Sequence, residues 1–178
     1  EGDSTLEDEL SPFPLFNIGI NREIRNLIVA DTPEVSLSIF DYKYERRSDD
    51  GINHHIWQTV VAVRSPELQT PTFHLYPEGF FSKIGSALGG QDIDFDDHPD
   101  FSKAFILKSE VEKETRDFFD EPLLDFFVQH TDITFEARPG TALYFRSRKR
   151  IEPTATALRN FMEEGLQAFR AVRERITE

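Results

Sequence analysis

The alternation of apolar and polar positions changes period several times along the chain, and each change predicts an element. Residues 26–30 form a short apolar run closed by Asp31-Thr32-Pro33-Glu34, which is turn chemistry. Over 35–45, Val35, Leu37 and Ile39 occupy one phase of a period of two, and Phe40, Tyr42 and Tyr44 occupy the other. Apolar residues in both phases predict a strand buried on both faces, or one bulged near Ile39-Phe40. Ser48-Asp49-Asp50-Gly51 reads as a polar hairpin tip, and the β-branched run 56–63 as the antiparallel partner. A third strand over 72–76 is stopped by Pro77. Phe80, Phe81, Ile84 and Leu88 then fall at helical spacing, with Gly89-Gly90 as the stop.

Short strands are predicted over 92–95 and 103–108. Ser109 with Glu112 three residues later has the form of a capping box, opening a helix to about 119. Asp120-Glu121-Pro122 restarts the chain as a second helix to about 129, because Pro in a first turn loses no hydrogen bond. Residues 132–137 and 141–146 flank Arg138-Pro139-Gly140, a hairpin signal. Pro153-Thr154 opens a long amphipathic helix whose stripe is Leu158, Phe161, Met162, Leu166, Phe169, Val172 and Ile176. Strands and long helices do not alternate regularly. The pattern therefore predicts an α+β fold: a mainly antiparallel sheet of about six to eight strands, covered by the C-terminal helix and the 109–129 helical pair.

Charge modifies this picture at two places. The chain of 178 residues carries 20 basic and 33 acidic side chains, a net charge of −13. Residues 1–10 hold five acids and no base, so 1–11 is expected to be a solvated, disordered leader before a single domain over 12–178. Residues 90–135 hold thirteen acids and four bases. The acidic balance argues against sequence-independent nucleic-acid binding, which needs a broad basic face. There is no cysteine, which excludes disulfides and thiolate chemistry. No apolar run approaches the ~18–20 residues of a membrane helix. The only methionine is Met162 and the chain opens Glu1-Gly2. A segment upstream is therefore expected, and a membrane anchor could lie in it.

The densest chemistry is Asp92-Ile93-Asp94-Phe95-Asp96-Asp97-His98-Pro99-Asp100. Asp92, Asp94 and Asp96 could hold a hard cation such as calcium through oxygen ligands. An EF-hand reading fails, since Asp97 stands where Gly is needed and Lys103 where Glu is needed. The plainer reading turns Ile93 and Phe95 inward and the aspartates to water. His54-His55 sits beside the hairpin tip, and adjacent residues of a strand point to opposite faces. Arg146, Arg148, Lys149 and Arg150 form the one basic cluster and could face anionic lipid. The plainer reading is a sheet exit that balances the acidic segment. Phenylalanine is overused, with 17 residues, and the pairs 80–81, 118–119 and 126–127 fit an aromatic core or the lining of an apolar groove.

A series of short motifs, Pro12-Phe13-Pro14-Leu15-Phe16, Arg25-Asn26-Leu27, Phe40-Asp41-Tyr42-Lys43-Tyr44, Gln58-Thr59-Val60, Phe73-His74-Leu75-Tyr76-Pro77-Glu78, Asp92-Ile93-Asp94-Phe95 and His98-Pro99-Asp100-Phe101-Ser102, resembles a family of uncharacterised bacterial proteins over about 12–175. That resemblance implies a soluble domain often preceded by a membrane helix, and it brings no catalytic residues. The expectation is a non-enzymatic binding domain for a protein or apolar ligand, membrane-associated through a segment upstream, with a cytoplasmic location as the alternative. The competing expectations are a metal-assisted hydrolase using Asp92, Asp94, Asp96 or His98, and a structural domain that self-associates.

Overall fold

Both phases of the 35–45 run are apolar because the strand they form has a core on each side. In the computed structural model, which describes residues 4–48, 50–79 and 90–174, eight strands form one open sheet in which all pairs are antiparallel. The strands are β1 (Ile20–Asp31), β2 (Ser36–Arg47), β3 (Asn53–Arg64), β4 (Phe73–Pro77), β5 (Gln91–Asp92), β6 (Phe105–Ser109), β7 (Thr134–Arg138) and β8 (Thr141–Phe145). Their order across the sheet is β1-β2-β3-β8-β7-β4-β6-β5. With the helices below, this is the predicted α+β architecture. The predicted helix over 80–88 and the last position of the C-terminal stripe, Ile176, lie outside the described residues.

The first face carries Leu37, Ile39, Val61, Val63, Leu75, Phe135 and Tyr144 and is covered by four helices. These are α2 (Pro99–Ala104), α3 (Glu112–Phe118), α4 (Glu121–Val128) and the long α5 (Ala155–Glu174). Asp120 caps α4 by accepting from the Leu123 amide at 3.1 Å, and Pro122 stands in the first turn as its sequence signal predicts. Thr154 caps α5 by accepting from the Ala157 amide at 3.2 Å. The phenylalanines of this face pack on one another, for example Phe73 edge-on to Phe119 at 4.9 Å and parallel to Phe135 at 6.0 Å. Where α5 crosses the sheet, a Cβ at Gly165 would lie 3.1 Å from Val61, which is fully buried at the sheet centre. Gly165→Val is therefore expected to cost about 2 kcal/mol by overpacking, despite valine's better helix propensity. A denaturant melt with an unchanged midpoint would contradict this.

The second face is covered by the N-terminal segment, and here the expected leader gives way to structure. Residues Ser4–Leu10 form α1, followed by a 3-10 turn at Pro14–Asn17. Leu6, Leu10, Phe13, Leu15 and Phe16 are buried against Phe40, Tyr42, Val60 and Phe145. The physical reason is the four-residue spacing of Leu6 and Leu10, which puts both on one side of a helix. The acids have their own partners: Glu7 accepts from the Ile24 amide at 3.2 Å, and Glu9 pairs with Arg64.

Two further expectations are corrected. The predicted strand over 103–108 begins only at Phe105, because Pro99 starts a short helix that buries Phe101. The capping box at Ser109 does not form. Ser109 Oγ donates to the Thr72 carbonyl, accepts from Thr115 Oγ1 and meets the Val111 amide, and Glu112 pairs with Arg116. Strand β1 is kinked at two register shifts, with Asn21 at φ 51° and Asn26 at φ 54°. Next to the first kink, Gly19 has φ 71°, and a Cβ there would lie 2.4 Å from the Glu45 carbonyl oxygen, so only glycine fits.

Candidate functional site

Asp41 is an acid set into an apolar strand, and four donors converge on it. It lies on the first face of β2, 7% exposed, opposite Thr59 of β3. Thr59 Oγ1 donates to Asp41 Oδ1 at 2.8 Å. Asn26 Nδ2, swung inward by the left-handed kink of β1, donates to Oδ2 at 2.8 Å. Arg150 adds a hydrogen bond from Nε at 2.9 Å and an ion-pair contact from Nη2 at 2.7 Å, both to Oδ2, and such charged contacts are stronger than neutral hydrogen bonds. The segment bearing Arg150 is strapped along β3. The Thr59 amide donates to the Lys149 carbonyl, the Ile151 amide to Thr59 Oγ1 and the Arg148 amide to Gln58 Oε1.

Beside this hub lies a cavity of about 330 Å³, at the lower end of the volumes that take small ligands. Its polar wall is Asn26, Asp41, Thr59 and Arg150, and its apolar wall includes Ile28, Ile39, Ile151 and Leu158. The Arg150 guanidinium also lies 5.0 Å from the ring centre of Trp57, the only tryptophan, which Arg25 and Lys43 approach at 5.7 and 5.8 Å. With four donors already on it, Asp41 is built to hold a geometry rather than to move a proton. A wider depression of about 720 Å³ beside the β1–β2 turn lacks such convergence, since its one cation, Arg64, is bonded to Glu9 and Ser36.

A second polar constellation crosses the other half of the sheet. Asp92 of β5 faces Lys108 of β6, Lys108 faces His74 of β4, and His74 faces Glu136 of β7. Glu136 is 1% exposed and accepts from the Tyr76 hydroxyl at 2.7 Å. Burial pushes its carboxyl up to about 7, against the opposing pull of the Tyr76 hydroxyl and the Leu15 backbone. Burial also pushes the His74 imidazole down to about 4, and the Arg138 charge adds to that. The same burial, with the Glu136 charge, raises the Tyr76 hydroxyl far above its ordinary value. Glu136 Oε2, His74 Nδ1 and Thr134 Oγ1 have no hydrogen-bond partner among the described residues. Both ionisable groups are thus neutral over the window between about 4 and 7. The Leu15 backbone lies against Glu136, and Arg138 reaches the Pro12 carbonyl from the same strand.

The residues singled out by sequence fall as follows. Ile93 is buried and Phe95 packs edge-on to Phe101 at 5.5 Å. Asp92 pairs with Lys108 at 3.0 Å, and Asp94 and Asp96 are exposed. Arg116 donates to the Asp94 carbonyl and stacks over Phe95. Among the described residues, no group of three or more His, Asp or Glu is placed to hold a metal ion. His98 Nε2 meets Asp125 Oδ1 at 3.0 Å. The basic cluster divides. Arg146, 17% exposed, is held by Asp132 and Glu164, each at 2.7 Å, and lies over Phe161. Arg150 belongs to the Asp41 hub, while Arg148 and Lys149 are exposed. Sequence reasoning missed Asp41, Thr59, Asn26 and Glu136. The available signal was an acid flanked on both sides by strand-type apolar residues, as in Ile39-Phe40-Asp41-Tyr42 and Thr134-Phe135-Glu136-Ala137.

Comparison with protein-family models, with curated proteins and with solved structures finds no match. No helix among the described residues is long and apolar enough to cross a membrane.

Proposed function

We propose that this chain is a binding domain, not a catalyst, and that the cavity beside Asp41 takes an apolar body bearing an anionic end. The observation that carries the reading is the cavity's split lining, with Ile28, Ile39 and Leu158 on one side and the half-exposed Arg150 on the other. An apolar group would displace water from the aliphatic wall, and an anion would take the exposed edge of the guanidinium. Asp41, Thr59 and Asn26 hold that guanidinium in place before a ligand arrives, which lowers the ordering cost of binding. A Ser–His contact does occur, Ser48 Oγ to His54 Nε2 at 3.2 Å. Ser48 Oγ is engaged there by Asp50 and the Ile52 carbonyl in an exposed turn, so it is poorly placed as a nucleophile.

The test uses 1-anilinonaphthalene-8-sulfonate, an apolar anion, with Trp57 emission as the second signal. Trp57 reports because Arg150 lies over its ring. The dye is expected to brighten and to change Trp57 emission saturably. Ile28 is 54% exposed at the cavity mouth, so Ile28→Glu leaves the fold intact and adds a repelling charge. It is expected to weaken dye binding about tenfold, as one like charge at short range does. Equal binding to parent and variant would overturn the reading.

A further inference from the structure

At the far end of the β2–β3 hairpin, on the side of the sheet that carries Tyr44 and Ile56, the chain gathers positive charge that the Asp41 hub does not use. A cleft of about 310 Å³ there is lined by Arg46, Arg47, Ser48, His54, Ile56 and Arg148. None of these described residues is acidic, in a chain with a net charge of −13. The described acids beside the tip are turned to other work. Glu45 meets Asn21 at 3.1 Å and His55 at 3.4 Å, and Asp50 accepts from Ser48 Oγ and the Ile52 amide.

The backbone of Arg148 is a second, independent sign. It has φ 56°, a left-handed conformation that costs a residue other than Gly or Asn on the order of 1 kcal/mol. Its amide is held in that pose by Gln58 Oε1 at 3.0 Å, and its guanidinium lies against the Tyr44 hydroxyl at the cleft wall. The side chain that a strain-free sequence would omit is the one that completes the ring of cations. Like charges brought together repel unless an anion joins them, and guanidinium forks match the paired oxygens of a phosphate.

We propose that this cleft is a binding site for a phosphate group, with Arg47 and Arg148 as its principal ligands and His54 beside them on its wall. The site is separate from the cavity beside Asp41, because Arg148 lies with Tyr44 on one face of the sheet and Arg150 with Asp41 on the other. A phosphate could belong to a free small molecule or to a lipid headgroup, and two probes separate these sources. The first is inorganic pyrophosphate, titrated calorimetrically at low ionic strength. The second is vesicles of phosphatidylglycerol mixed with phosphatidylcholine, against pure phosphatidylcholine, in a sedimentation assay.

The double variant Arg47→Ala, Arg148→Asn removes both guanidiniums, and Asn accepts the left-handed backbone. It is expected to bind pyrophosphate at least tenfold more weakly, since each charge-assisted contact contributes roughly a factor of ten. An unchanged melting curve for this variant assigns the loss to the site. Pyrophosphate binding without vesicle binding identifies a free phosphate ligand, and variant-sensitive binding of the anionic vesicles identifies a headgroup. If neither probe binds, or the double variant binds like the parent, the proposal is overturned. Ile28→Glu should leave pyrophosphate binding unchanged, so this result stands apart from that for the Asp41 cavity.

Discussion

Asp41→Ala is expected to lower stability by about 3 kcal/mol. The side chain accepts from Thr59, Asn26 and Arg150 Nε, pairs with Arg150 Nη2, and joins β1, β2 and β3 to the strap that leads into α5. Each bond contributes about 1 kcal/mol net, more where the donor is charged, and the loss leaves the buried Thr59 hydroxyl without its acceptor. A full buried-pair penalty of about 3–5 kcal/mol is not reached, because Arg150 is exposed enough to regain water. In a domain of this size the loss corresponds to roughly 10 °C in the melting midpoint. Arg150→Met should cost only about 1 kcal/mol, since most of the network then survives. Urea unfolding of both variants checks the pair, and an Asp41→Ala loss no larger than that of Arg150→Met would refute the hub.

Glu136→Gln is expected to stabilise the fold at pH 8 and to do little at pH 4. The folded carboxyl is raised from 4.5 to about 7, so its burial cost is absent below pH 4.5, grows as pH rises and is complete above 7. His74 has the opposite sign. Its folded value is lowered from 6.5 to about 4, so its cost is absent above pH 6.5 and grows as pH falls towards 4. Each effect amounts to roughly 3 kcal/mol at full extent. Between pH 4.5 and 6.5 the two slopes cancel, and the parent's contribution from this pair is flat. Substituting one group exposes the other. Stability of Glu136→Gln relative to the parent should rise from pH 4 to 7, whereas that of His74→Phe should rise from pH 7 to 4. Denaturant melts across this range decide the matter, and a pH-independent difference for both variants would dismiss the neutral buried pair.

The elements that depend on neighbours in sequence were legible in it. The Arg138-Pro139-Gly140 turn, the helix restarted at Pro122 and the stripe of α5 as far as Val172 each need only a few adjacent residues, and each forms as read. The apolar residues in both phases of β2 correctly announced a core on each face. The features that failed depend on distant partners. Five acids in ten residues outweighed Leu6 and Leu10 when residues 1–11 were read as a leader, and nothing local shows that Phe40 and Tyr42 wait to receive them. The Asp92–Lys108–His74–Glu136 row exists only through register, which joins residues up to 62 positions apart through four strands. The left-handed turn at Asn26 likewise leaves no mark on composition, yet it decides that Asn26 meets Asp41.

The two outer strands have a consequence for solubility at high concentration. A long flat margin would offer free amide and carbonyl groups as a template on which a neighbouring molecule could polymerise. β1 is twelve residues long and exposes Ile20, Ile28 and Val29, which makes it the dangerous margin. Its bends at Asn21 and Asn26 spoil the flatness that such zippering requires, and β5, only two residues long, gives the opposite margin almost nothing to copy.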